Sequence, residues 1–169
     1  MPARRFLWLL VILALFAAPT LKAADREIQV LVMAPGYQKD WALGKDRDSI
    51  AANFDFILEP QNWDQTLQEL AKVGKGGRIR RAVFLGHGYQ TDGKGGIIDF
   101  GQDVNADTLL TYRTRAYNRG DASVLDAFAP DAEVIYYNCH AGQDPKFLQE
   151  SANLFLAFSG GTVYGSDDY

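Results

Sequence analysis

The chain has 169 residues, is 47% hydrophobic and 12% aromatic, and carries a net charge of -4 made up of both signs. That balance excludes binding to nucleic acid through bulk positive charge, and a single cysteine excludes a disulfide framework. The remaining option is a domain held together by its hydrophobic core.

The chain opens with "MPARRFLWLLVILALFAAPTLKAADRE". A pair of arginines, an apolar run from Phe6 to Ala18 and a small-residue zone form the pattern of a secretory signal peptide. The run is shorter than the roughly 20 residues a membrane-spanning helix needs. The expectation is cleavage after Ala23, a single α/β domain over 24–169, a secreted or periplasmic location and no membrane attachment afterwards.

"IQVLVMA" (28–34) is nearly continuous and β-branched, which predicts a strand buried on both faces and ended by Pro35-Gly36. A mixed segment with Trp41, Leu43 and Ile50 predicts a helix before Phe54, and "FDFIL" (54–58) a short strand. "NWDQTLQELAKVGKGG" has both ends of a helix marked: Asn62 and Gln65 as a capping box, Gly74 as a stop. A third strand is expected at Ala82 to Leu85, running into Gly86-His87-Gly88. A glycine-rich hairpin near Ile97 to Phe100 follows, then some helical spacing over Asn105 to Gly120. "SVLDAFAP" reads as a short helix closed by Pro130, and "AEVIYYN" as a fourth strand leading into Cys139. "DPKFLQESANLFLAFSGG" predicts a helix capped by Asp144, with Pro145 in its first turn, an apolar face reaching Phe158, and Gly160-Gly161 as its end. "TVYGS" is a last strand. Strands alternating with helices imply a mainly parallel sheet with helices on both faces, a three-layer α/β sandwich.

In open α/β sheets, sites form at the carboxyl ends of strands. Strand three ends at "FLGHG" with His87, and strand four at "YYNC" with Cys139. A free thiol is a few per cent thiolate at neutral pH, and a neighbouring imidazole raises that share and can later protonate a leaving amine. The flanking Gly86 and Gly88 let the backbone turn closely, and the N–H groups of Gly88 and Cys139 are candidates for an oxyanion hole. Taken singly, the cysteine also reads as a small buried hydrophobe and His87 as a polar core residue. The spacing of Cys139, His87 and His140 matches no structural zinc pattern, so neither metal nor cofactor is expected. The absence of a Gly-x-Ser-x-Gly elbow argues against an α/β-hydrolase esterase.

"AVFLGHGYQTDG" followed about fifty residues later by "VIYYNCHAG" resembles the caspase-like cysteine peptidase clan, which includes caspases, metacaspases, legumains and bacterial CHAT domains. Cys-His-Ala-Gly at 139–142 is similar to the Cys-His-Ser-Gly of metacaspases. The resemblance implies a caspase-like sheet and a thiol protease with Cys139 as nucleophile and His87 as general base. Gly88 and Cys139 would form the oxyanion hole, and the substrate would be a peptide or protein. Clan members that cut after basic residues often carry an acid immediately before the cysteine, whereas Asn138 stands here. Asn138, Asp92 and Asp167 are the weaker candidates for substrate contact, with Asp99 and Asp168 beside them. The alternative is a catalytically inactive module of the same fold that binds a partner in the cell envelope.

Overall fold

The computed structural model describes residues 27–38, 47–91, 95–119 and 124–167. The expected signal peptide, Asp92 and Asp168 lie outside the described residues. In chain order the elements are β1 (Glu27–Met33), α1 (Arg47–Ala51), β2 (Phe56–Leu58), α2 (Trp63–Gly74), β3 (Arg78–Leu85), β4 (Gly88–Thr91), β5 (Gly95–Asp99), β6 (Asp103–Val104), α3 (Ala106–Arg119), β7 (Phe128–Tyr137), a 3-10 turn (Ala141–Gln143), α4 (Pro145–Phe155) and β8 (Gly161–Gly165).

Five strands form one sheet in the order β2-β1-β3-β7-β8, and every neighbouring pair is parallel. The order explains the layers. The chain steps from β1 outward to β2, then back across β1 to β3, and onward to β7 and β8. Right-handed crossovers therefore put α1 on one face and α2, α3 and α4 on the other. The residues bear this out. Val30, Val32, Ala82, Phe84, Val134 and Tyr136 pack with Trp63, Leu109, Phe147 and Phe155 into the main core. Leu31, Met33 and Val83, one residue out of phase, form a smaller cluster with Tyr37, Phe54, Ile57, Leu85 and Ile135. The chain is thus a three-layer α/β sandwich, and among the described residues the helix-rich face is the thicker of its two outer layers.

β1 reads as a central strand because it is one: Val30, Leu31, Val32 and Met33 are all buried although they alternate between faces. Asn62 caps α2 by accepting from the N–H of Gln65 at 2.9 Å, while the Gln65 side chain accepts from Gln61 N at 2.9 Å, one residue short of the expected capping box. Gly74 does not end α2 through a left-handed turn. It is bare because a Cβ there would stand 2.5 Å from that of Ala127. Asp144 caps α4, accepting from Lys146 N at 2.9 Å, with Pro145 in the first turn as expected.

Three expectations need correction. β3 begins at Arg78, four residues before the apolar run, because Ile79 is already buried and paired with Phe128 of β7. "SVLDAFAP" is not a helix: its described part passes through a turn directly into β7, whose Pro130 is accommodated by a bulge. Ile79 pairs with Phe128 but Arg81 with Glu133, and the extra residues include Asp131 with φ 57°. Helix α4 ends at Phe155, so Phe158 lies beyond it, exposed, with its ring edge-on to Tyr117 and the centroids 6.1 Å apart.

Candidate active site

The register places the two candidate residues. Leu85 of β3 pairs with Tyr137 of β7, and His87 and Cys139 each stand two residues further on. Adjacent parallel strands run about 4.8 Å apart, so the two chain segments leave the carboxyl edge of the sheet side by side. Alternation then sets direction. Leu85, His87, Tyr137 and Cys139 share the phase of the thinly covered face, while Gly86 and Asn138 share the phase of the main core. Accessibility follows this rule: His87 is exposed and Cys139 half-buried, but Gly86 and Asn138 are buried.

The glycines around His87 are required by close approach. A Cβ on Gly88 would lie 2.9 Å from Cys139 N and 3.1 Å from its carbonyl carbon, and closer still to its carbonyl oxygen. A Cβ on Gly86 would lie 2.5 Å from that of Ala34 and 3.1 Å from Asn138 Nδ2. The histidine turn therefore lies directly on the cysteine turn, backbone against backbone. The His87 ring meets Tyr37 edge-on with centroids 5.7 Å apart, and its Cδ2 is 3.7 Å from where a Gly36 Cβ would be.

After Gly88 the chain forms the small antiparallel sheet β4-β5-β6. Gly88 sits opposite Ile98, and Asp99 N–H donates to the His87 carbonyl at 3.0 Å. In an antiparallel ladder this makes Gly88–Ile98 a non-hydrogen-bonded pair. The Gly88 N–H is then not committed to β5, as an oxyanion-hole donor requires.

The cysteine loop is fixed from the other side. His140 adopts a left-handed conformation with φ 61°, and Ala141 N donates to Asn138 O at 3.2 Å, closing a tight turn around Cys139. The His140 ring points to Gln143, with Nδ1 3.2 Å from Oε1. Gly142 N donates to Ser166 O at 2.8 Å, and Gln143 Nε2 donates to Asp167 O at 2.5 Å, which ties the exit of β8 to the loop. Asp144 is 9% exposed and uses its second oxygen to accept from Gly96 N at 3.2 Å, holding β5 against the same loop. Sequence reasoning missed this role of Asp144, because its cap position already accounted for the acid without any tertiary partner.

No family model, curated protein or solved structure matches this chain. Of the weaker candidates, Asn138 is 1% exposed and its Nδ2 donates to the His87 carbonyl at 3.2 Å. It faces the core and not a substrate. Asp167 is exposed beside Gly142 and Gln143. Asp99 uses Oδ1 to accept from Gly101 N at 3.0 Å. Among the described residues no cluster of His, Cys, Asp and Glu could hold a metal, and no helix is long and apolar enough to cross a membrane.

On the thin face, a trough of about 400 Å³ runs along the sheet up to Leu85 and Tyr137, with Leu31, Phe54, Val83 and Ile135 among its walls. Arg81, the charged wall residue among the described ones, is paired with Glu133 at 2.7 Å.

Proposed function

We propose that the protein is an exported cysteine hydrolase that cleaves peptide bonds with a His87–Cys139 dyad. The observation that carries this reading is the paired register of β3 and β7, which brings the two residues out side by side, on the same face, at the carboxyl edge of a parallel sheet. In the reaction, His87 takes the proton from the Cys139 thiol, and the thiolate attacks the substrate carbonyl carbon. The negative charge that forms on oxygen is met by the Gly88 and Cys139 N–H groups. His87 returns the proton to the departing amine, leaving a thioester. Water, deprotonated by His87, then attacks the thioester, releasing the acid and restoring the thiol. The apolar trough ending at Leu85 and Tyr137 favours an apolar residue beside the scissile bond, and among the described residues its walls hold no carboxylate for a basic one.

A peptidyl acyloxymethyl ketone tests this reading. Labelling of the wild-type protein that is lost in Cys139→Ala and slowed at least tenfold in His87→Ala is expected. Labelling that survives Cys139→Ala, or that keeps its wild-type rate in His87→Ala, overturns it.

One observation favours the alternative of a non-catalytic binding module. Tyr137 is 56% and Tyr164 48% exposed on the sheet, next to Ile135, which pairs with Tyr164. Such a surface suits a partner protein. That reading predicts full biological function in a folded Cys139→Ser protein.

A further inference from the structure

Asn138 lies between the last residue of β7 and Cys139, and it is 1% exposed. Its Nδ2 donates to the His87 carbonyl at 3.2 Å. The same carbonyl accepts from Asp99 N at 3.0 Å. The backbone of the histidine is thus pinned from β7 by a side chain and from β5 by the main chain. Gly86 makes room for the first of these bonds, since a Cβ there would crowd Nδ2 at 3.1 Å. The other end of the amide is unusual: Asn138 Oδ1 is buried with no hydrogen-bond partner among the described residues. A buried amide with an unpaired acceptor is a costly way to fill space, and an apolar side chain would fill it without that penalty. What the amide supplies, and an apolar residue cannot, is a donor to the His87 carbonyl.

From these contacts we infer that Asn138 is a positioning residue: its Nδ2–H holds the His87 turn against the Cys139 turn and so fixes the imidazole relative to the thiol. This rests on the dyad reading above. The role depends on a proton at Nδ2. A carboxylate in its place has only acceptors to offer the carbonyl, whereas a protonated carboxylic acid has an O–H to donate.

The test is the rate of Cys139 alkylation by iodoacetamide between pH 5 and 9, in wild type, His87→Ala, Asn138→Ala and Asn138→Asp, with thermal melts restricting the comparison to folded protein. His87→Ala is expected to slow alkylation near neutral pH and to raise the pH at which it reaches half its maximum. Asn138→Ala is expected to slow it about tenfold, the change that the loss of one such hydrogen bond gives. Asn138→Asp is expected to match Asn138→Ala at pH 9. Its rate relative to Asn138→Ala then rises severalfold as the pH falls and the buried carboxyl, raised by desolvation, takes up its proton. A purely structural role lowers the melting temperature and leaves that ratio flat with pH.

Folded Asn138→Ala with the wild-type rate and profile, while His87→Ala is slow, overturns the inference and spares the dyad. A His87→Ala protein that alkylates like wild type overturns the dyad, and the inference with it. If Asn138→Ala does not fold, Asn138→Ser takes its place, since its shorter hydroxyl keeps a polar group but does not reach the carbonyl.

Discussion

Gly88→Ala tests the close packing on which the site depends. The added methyl would lie 2.9 Å from Cys139 N and 3.1 Å from its carbonyl carbon, where 3.4 Å and beyond is ordinary contact. The obstacles are backbone atoms of a turn fixed by Ala141 N donating to Asn138 O at 3.2 Å and Gly142 N donating to Ser166 O at 2.8 Å, so they cannot swing aside as a side chain tip would. The relief must come from parting the two turns. Overpacking of this kind costs about 1–3 kcal/mol, and rigid neighbours put this case at about 3. For a domain of this size that corresponds to a fall in melting temperature of roughly 10 °C. Parting the turns also separates His87 from Cys139, so alkylation of the thiol near pH 7 is expected to slow together with the loss of stability. Gly160→Ala is the control. Its φ of 72° makes alanine strained, but nothing lies within 4 Å of the added methyl. It is expected to cost about 1–2 kcal/mol and to leave alkylation of Cys139 unchanged. A Gly88→Ala protein that melts within 2 °C of wild type, with unchanged thiol reactivity, would refute the close packing of the two turns.

Asp144→Ala removes both the helix cap and the acceptor for Gly96 N, and urea unfolding is expected to show a loss of about 2–3 kcal/mol. A loss under 0.5 kcal/mol would mean that β5 is not held through this carboxylate. Tyrosine absorbance near 295 nm is expected to rise in separate steps with pH. Tyr136 ionises late because burial raises its pKa, Tyr112 is raised by burial and then by its hydrogen bond to Asp64, and Tyr89 is pushed up to about 12 chiefly by its hydrogen bond to Asp103. Because the folded values lie above the unfolded value near 10, their stabilising effect is complete below pH 10 and is lost as the pH climbs towards 12. Melting temperatures that stay level from pH 9 to 12 would contradict this. Among fluorogenic peptides, those with Phe or Leu before the scissile bond are expected to be cut at least tenfold better than those with Arg or Asp. The reverse order would exclude the trough as the pocket for that residue.

The parts of this structure legible in the sequence are those where a local signal coincides with a tertiary need. Val30 to Met33 are apolar at every position because β1 lies inside the sheet. Asn62 and Asp144 mark helix starts because orphan N–H groups there require an acceptor. His87 and Cys139 stand out because each follows an apolar run and is attended by glycines. The misreadings arise where tertiary contacts override a local pattern. "SVLDAFAP" has helical spacing, yet Phe128 is drawn into the ladder opposite Ile79, and a bulge absorbs Pro130. Arg78 and Arg80 hid the start of β3, although their guanidinium groups donate to the carbonyls of Asp126 and Pro130 and so hold the strand to its neighbour. Asn138 stands beside Cys139 in the sequence, and that one-dimensional proximity says nothing about which face of the sheet a residue joins.

That face is decided by a count of one. Along β7 the residues alternate between the helix-covered core and the thin side, and the alternation carries past the end of the strand: Tyr136 in, Tyr137 out, Asn138 in, Cys139 out. Along β3 the same count gives Phe84 in, Leu85 towards the thin side, Gly86 in and His87 out. Because Leu85 pairs with Tyr137, the two series are in step. Both candidate residues therefore emerge on the face opposite α2, α3 and α4, while the amide of Asn138 and Gly86 are pressed into the core. A one-residue insertion in either strand end would put the thiol and the ring on opposite faces, so it would abolish the dyad while leaving most of the core intact. This separates chemistry from stability more cleanly than any single substitution at the site.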